Sequence, residues 1–143
     1  MRHIRLVEED IPTCYIAENK DQQAVFRQWV FKPNQNHRVT SYFGDLFPEL
    51  NHGEALLEGG FTHPNYRGQR IMAKSILNII NLDENNDINR YITFVDKNNL
   101  ASLKGLYRAG FRPYILRHES WFLFKREVSF TPIYIEIDKP VFA

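Results

Sequence analysis

The stretch HPNYRGQRIMAKSIL, residues 63–77, sets Arg67, Gly68 and Arg70 directly before an apolar stripe at helical spacing. A helix N-terminus carries partial positive charge on its unbonded N–H groups, so its first turn ordinarily takes a Ser, Thr, Asp or Asn cap and acidic neighbours. A basic first turn is disfavoured there unless an anion joins it. Gly68 has no β-carbon and lets a ligand approach the backbone, while Arg67 and Arg70 can add charge-assisted contacts. The chemistry this suits is the binding of a phosphate or pyrophosphate. The plainer account is a solvated basic turn on a core helix, and the turn alone leaves both open.

Such a turn has to be held by the elements around it. Immediately upstream, EALLEGGFT (54–62) reads as a strand broken by Gly59-Gly60, a pair that marks a bulge or a close backbone approach. Downstream, Met72, Ile76, Ile79 and Ile80 fall on one helical face, and the helix stops in NLDENNDIN (81–89). RYITFVD (90–96) is the next strand. NNLASLKGLYRAGF (98–111) is a second helix, capped by Asn98 or Asn99, with Leu103, Leu106, Tyr107 and Gly110 along its inner side. YILRHESWFLFKREV (114–128) reads as a hairpin or one long bent strand, and PIYIEI (132–137) as an edge strand.

Ahead of residue 54 the pattern is again strand-like. HIRLVE (3–8) suits a short strand, and TCYIAEN (13–19) and AVFRQWVF (24–31) suit two strands joined by the polar turn NKDQQ. In the second of these, Val25, Arg27 and Trp29 alternate with Phe26, Gln28 and Val30, so both faces are partly apolar. KPNQNH reads as loop, RVTSYF (38–43) as another strand, and GDLFPELNHG (44–53) as irregular. No amphipathic helix is expected before Glu54. The order of elements argues for an α/β (α+β) fold with a mixed, mostly antiparallel sheet.

Composition narrows the function classes. With 143 residues the chain suits one domain with a real core. Lys and Arg number 18 against 17 Asp and Glu, a net charge of +1, which gives no electrostatic case for nucleic acid or an anionic membrane. Cys14 stands alone and the histidines show neither HxxH nor HExxH spacing, so no metal site is expected. No apolar run approaches the ~20 residues of a membrane span. A reducing, cytoplasmic setting is the default expectation.

Two blocks carry a family resemblance. FTHPNYRGQRIM (61–72) resembles motif A of the GNAT superfamily, the N-acetyltransferases related to the general-control histone acetylase, in which a strand leads into Arg or Gln, two residues, Gly, one residue, then Gly or Ala. Arg67 fits that pattern, whereas Arg70 and Met72 stand where the family prefers Gly and Gly or Ala. VDKNNLASLKGLYRAGF (95–111) is similar to motif B, matching at Asn99, Ala101, Ser102, Gly110 and Phe111. The resemblance covers residues 53–126. It implies a single domain over 1–143, with an atypical N-terminal part (1–52), an acyl-coenzyme A-binding core (53–126) and a C-terminal strand or tail (127–143).

The resemblance also implies a chemistry. Two parallel strands splay apart, and the pantetheine arm of acetyl-coenzyme A, or another acyl-coenzyme A, lies between them. Phe61 and Thr62 then offer main-chain contacts to the arm, Arg67, Gly68, Gln69, Arg70, Ile71 and Met72 hold the pyrophosphate, and Asn99 and Ser102 approach from the other side. An acceptor amine attacks the thioester, and its proton goes to a carboxylate. Glu54 and Glu58, four apart on one strand and so on one side of it, are the candidate bases; Phe94 stands where another branch keeps a glutamate. Many members place a Tyr four residues before the Gly of Gly-Phe as general acid; here that residue is Leu106, with Tyr107 one step round the helix.

The implied activity is N-acyl transfer to a small-molecule amine. The other reading is a non-catalytic coenzyme A-binding sensor or assembly module of the same fold. The acceptor wall comes from residues 32–53, from a partner subunit in a homodimer, or from a longer chain of which this is part. Tyr42, Phe43, Phe47 and Trp121 are candidates to line a small-molecule pocket. Neither nucleic acid nor membrane is an expected partner.

Overall fold

Strand alternation on AVFRQWVF divides the core into two. Phe26 and Val30 point to one face of the sheet and Trp29 and Phe31 to the other, and all four are at most 3% exposed. In the computed structural model, which describes residues 13–133, each face carries its own apolar cluster. The expected strand over 3–8, and residues 134–137 of the expected edge strand, lie outside the described residues.

The main sheet has four strands in the order of the chain: β1 (Cys14–Glu18), β2 (Ala24–Phe31), β3 (Glu54–Thr62) and β4 (Arg90–Thr93). The β1–β2 and β2–β3 pairs are antiparallel, and β3–β4 is parallel. Helices α2 (Ile71–Ile80) and α3 (Leu100–Arg108) cover one face, where Ala73, Ile76, Ile79 and Ala109 pack on Phe26, Val30, Ala55 and Leu57. We call this the helix face. A fully buried Ile or Leu contributes about 1.5–3 kcal/mol, so Leu57 and Ile76, each 1% exposed, are principal supports of α2. Asn99 caps α3, its side chain accepting from the Ser102 N–H at 3.2 Å.

The opposite face is covered by α1 (Asn36–Phe43), by the irregular segment 44–53 and by a separate hairpin, β5 (Ile115–Phe122) with β6 (Lys125–Pro132). The strand expected over 38–43 is therefore corrected to a helix, and the first third does hold one. Val39 and Phe43 lie one turn apart and bury together against Phe31, with the rings of Phe31 and Phe43 edge-on at 6.4 Å. β-Branched and aromatic residues suggested a strand, but tertiary packing decides so short a segment. Asn36 secures it: its amide donates to the Leu50 carbonyl and accepts from the Leu50 N–H, both at 3.0 Å. The hairpin is fastened by arginines. Arg117 donates to the Leu46 carbonyl at 2.9 Å and lies over the rings of Phe47 and Phe94; Arg126 reaches the Phe43 carbonyl and Asp45.

Candidate functional site

The glycine pair in β3 is a bulge. Register runs from Trp29↔Glu58 to Arg27↔Phe61, so Gly59 and Gly60 together oppose Gln28. Gly59 takes φ +68°, which L-residues rarely adopt. Gln28, 4% exposed, fills the recess: its amide nitrogen donates to the Glu58 carbonyl at 2.8 Å, and its Oε1 lies 2.7 Å from where a β-carbon on Gly60 would sit. On the other edge, pairing with β4 runs from Glu54↔Arg90 to Leu57↔Thr93 and stops, while β3 continues to Thr62. The parallel pair thus parts just where the bulge begins.

The strand feeds the basic turn. A single 3-10 turn (Pro64–Tyr66) follows, and the Tyr66 hydroxyl is tied to the β1–β2 turn, accepting from the Asn19 amide and donating to Gln23 Oε1, each at 3.0 Å. Arg67 folds back, its Nε donating to the Thr62 carbonyl at 3.2 Å and its guanidinium lying 5.7 Å from the Phe61 ring centre. Gly68 has φ +78° with nothing within 4 Å of where its β-carbon would be. Arg70, also left-handed at φ +60°, is the N-cap of α2 and makes no side-chain cap. The first bond into the helix is from the Lys74 N–H to the Arg70 carbonyl, so the N–H groups of Ile71, Met72 and Ala73 precede it. The residues Arg67, Gly68, Gln69 and Arg70 are all exposed.

Met72 does not project into that turn. Its terminal methyl lies against Gly105 of α3. Asn99 and Ser102 sit at the start of α3, with Asn99 exposed and its carbonyl oxygen used in the cap.

The two glutamates part company. Glu54, 8% exposed, begins β3 and is fully engaged: it accepts from Arg90 at 3.1 Å and from the Asn51 N–H and side-chain amide at 2.9 and 3.2 Å. It is a structural ion pair at the far end of the strand from the bulge. Glu58 is half-buried directly before the bulge, opposite Trp29, on the face that carries α1 and the hairpin. The segment expected to wall an acceptor therefore stands on Glu58's side of the sheet. Of the aromatics considered for that wall, Phe43 and Phe47 are core, whereas Trp121 is 67% exposed near the hairpin tip. Phe94, just past β4, packs against Phe47 and Phe130. Leu106 is half-buried and packs against the apolar cluster of the helix face, and Tyr107 lies beneath the Arg112 guanidinium at 4.0 Å.

Sequence reasoning missed Gln28 and Arg27. A Gln within an apolar strand gives no hint that it plugs a bulge thirty positions on. Arg27 did leave a signal, a charge on the same strand face as Trp29, and the structure sets it between aromatic rings: 5.4 Å from the centre of Trp29 and 5.1 Å from that of Phe61. No cluster of three or more His, Cys, Asp or Glu that could hold a metal exists among the described residues, and none of their helices is long and apolar enough to cross a membrane.

No protein-family model, no curated protein and no solved structure matches this chain. What it does has to be read from its own geometry.

Proposed function

We propose that the chain is an N-acyltransferase that uses acetyl-coenzyme A, or another acyl-coenzyme A, on an amine of a small molecule. The single observation that carries this is the junction of three features: a glycine bulge in β3, the end of β4 pairing at Leu57–Thr93, and the open amides of Ile71, Met72 and Ala73 just beyond. A strand edge released from its neighbour suits an extended amide-bearing arm laid on as an added strand. A helix start with a basic, glycine-containing turn suits the diphosphate at the end of that arm. The open space at Gly68 fits such a ligand.

Coenzyme A supplies the acyl group as a thioester, with a thiolate as leaving group. The protein's own part is to position and to move a proton. Phe61 and Thr62 present backbone at the released edge, Arg67 to Met72 hold the diphosphate, and Asn99 and Ser102 close from α3. Glu58, next to the bulge, takes the proton of the acceptor ammonium, directly or through water. Glu54, paired with Arg90 and Asn51 at the far end of the strand from the bulge, is left out of this role by its position. One observation favours the non-catalytic module instead: the position of the general acid is held by Leu106, which has no proton to give, and the neighbouring Tyr107 is stacked under Arg112.

Calorimetry with coenzyme A, followed by thiol release from acetyl-coenzyme A across an amine panel, separates the outcomes. Binding with turnover that Glu58→Gln lowers at least 100-fold supports the enzyme. Binding without turnover selects the module, and absence of binding at millimolar coenzyme A overturns both.

A further inference from the structure

Resting on the acyltransferase reading, we propose that Arg27 receives a carboxylate of the acceptor, so that the substrate is an amino acid rather than a simple amine. Across the strands, Ile16, Arg27 and Phe61 form one row and Cys14, Trp29 and Glu58 the next. Trp29 and Phe31 show that this row alternation points to the face of α1 and the hairpin. That face is not covered evenly. Its inner part is packed, with Trp29 2% exposed, whereas Ile16 is 59% and Phe61 42% exposed. Arg27 therefore sits on an open apolar shelf between two exposed side chains.

The guanidinium is held but not neutralised. Two rings, Trp29 and Phe61, flank it at 5.4 and 5.1 Å. Among the described residues no carboxylate pairs with it, and its buried Nε has no hydrogen-bond partner. Stacking fixes the plane of a guanidinium while leaving its terminal N–H fork presented, an arrangement suited to a carboxylate. A buried donor without a partner is costly, so this arginine is placed at the expense of stability.

Position identifies which anion. Arg27 and Glu58 stand in adjacent rows of one face, Glu58 opposite Trp29 and Arg27 two residues along β2 from it. An acceptor whose amine meets Glu58 can lay a carboxylate on Arg27 when one or a few carbons separate the two groups. On the same reading the phosphates of coenzyme A go to Arg67–Met72, whose Arg67 guanidinium lies 5.7 Å from the Phe61 ring centre.

Calorimetry tests this with α-, β- and γ-amino acids set beside their decarboxylated amines, with and without coenzyme A present. At least one amino acid is expected to bind tenfold or more tightly than the matching amine. Arg27→Met is expected to abolish that preference, and Arg27→Lys to keep part of it, with coenzyme A affinity and melting temperature serving as controls on folding. Equal binding of amine and amino acid overturns the assignment, as does no amino-acid binding at millimolar concentration. Loss of coenzyme A affinity in a folded Arg27→Met protein also overturns it, because Arg27 would then serve the cofactor. Amino-acid binding in a protein that ignores coenzyme A sinks the acyltransferase reading and leaves Arg27 a carboxylate site.

Discussion

Met72 lies in the notch that Gly105 leaves on α3, its terminal methyl standing where a β-carbon at 105 would be. The two helices that cover the helix face thus interlock through one flexible side chain and one absent one. The contact also explains how a bulky residue is tolerated beside the basic turn: it is drawn sideways into α3.

A double-mutant cycle on this pair should show coupling. Gly105→Ala favours the helix by about 1 kcal/mol through backbone entropy, but in the wild type the methionine must move, at a cost of about 1–3 kcal/mol. In a Met72→Ala background that cost disappears and the same change should stabilise. Urea unfolding of the four proteins should give a coupling of at least about 0.5 kcal/mol; additivity would mean the side chain has no fixed seat there.

Arg70 holds a backbone conformation that suits glycine, φ +60°, at the N-cap of α2. The left-handed form costs an L-residue about 1–2 kcal/mol. Arg70→Ala keeps that cost and loses the charge, whereas Arg70→Gly relieves it and regains only part in unfolded-chain freedom. Arg70→Gly should therefore melt above Arg70→Ala. The reverse order would indicate that the turn relaxes to a negative φ.

Glu54 and Glu58, indistinguishable by alternation, should separate by assay. Arg90 is half exposed, so the Glu54 pair is screened, and Glu54→Gln should cost about 1 kcal/mol of stability. Under the proposed acyltransferase activity, turnover of this variant should fall no further than the folded fraction does. Turnover that collapses in well-folded Glu54→Gln would return the base to that position.

The bulge and the basic turn were legible because glycine announces itself: Gly59 and Gly68 take positive φ, a local backbone need that shows in the sequence. Strands β1 to β3 and the helices over 71–80 and 100–108 were legible from periodicity, and so was the extended character of 114–128. That segment left a hairpin and one long bent strand both open until β6 was seen to run back along β5 to Pro132. The helix at 36–43 was not, because its eight residues have strand-like composition and owe their helicity to Leu50, Phe31 and the sheet beneath. Gln28 opposite Gly60, and Met72 against Gly105, were illegible for a related reason. Each is a pairing of one side chain with another residue's missing one, and only the fold brings them together. The site's two glutamates looked alike until Arg90 and Asn51 were seen to claim the first.

Cys14 provides an independent reporter on Arg27. It lies opposite Trp29, and its partial burial pushes the thiol above its ordinary value of 9.0, while the nearby Arg27 charge pulls it back. Folding thus favours the neutral thiol, so its contribution to stability is complete below pH 9.0 and is lost as pH rises through the raised value. Removing the positive charge, as in Arg27→Met, should move the thiol further upward, and a carboxylate seated on the guanidinium should do the same in the wild type. The pH dependence of alkylation by iodoacetamide reads this directly, since only the thiolate reacts. The midpoint should rise in the variant and, with a bound amino acid, in the native protein. An identical midpoint in all three would mean that Arg27 does not reach Cys14 electrostatically, and that its guanidinium points elsewhere than the shelf.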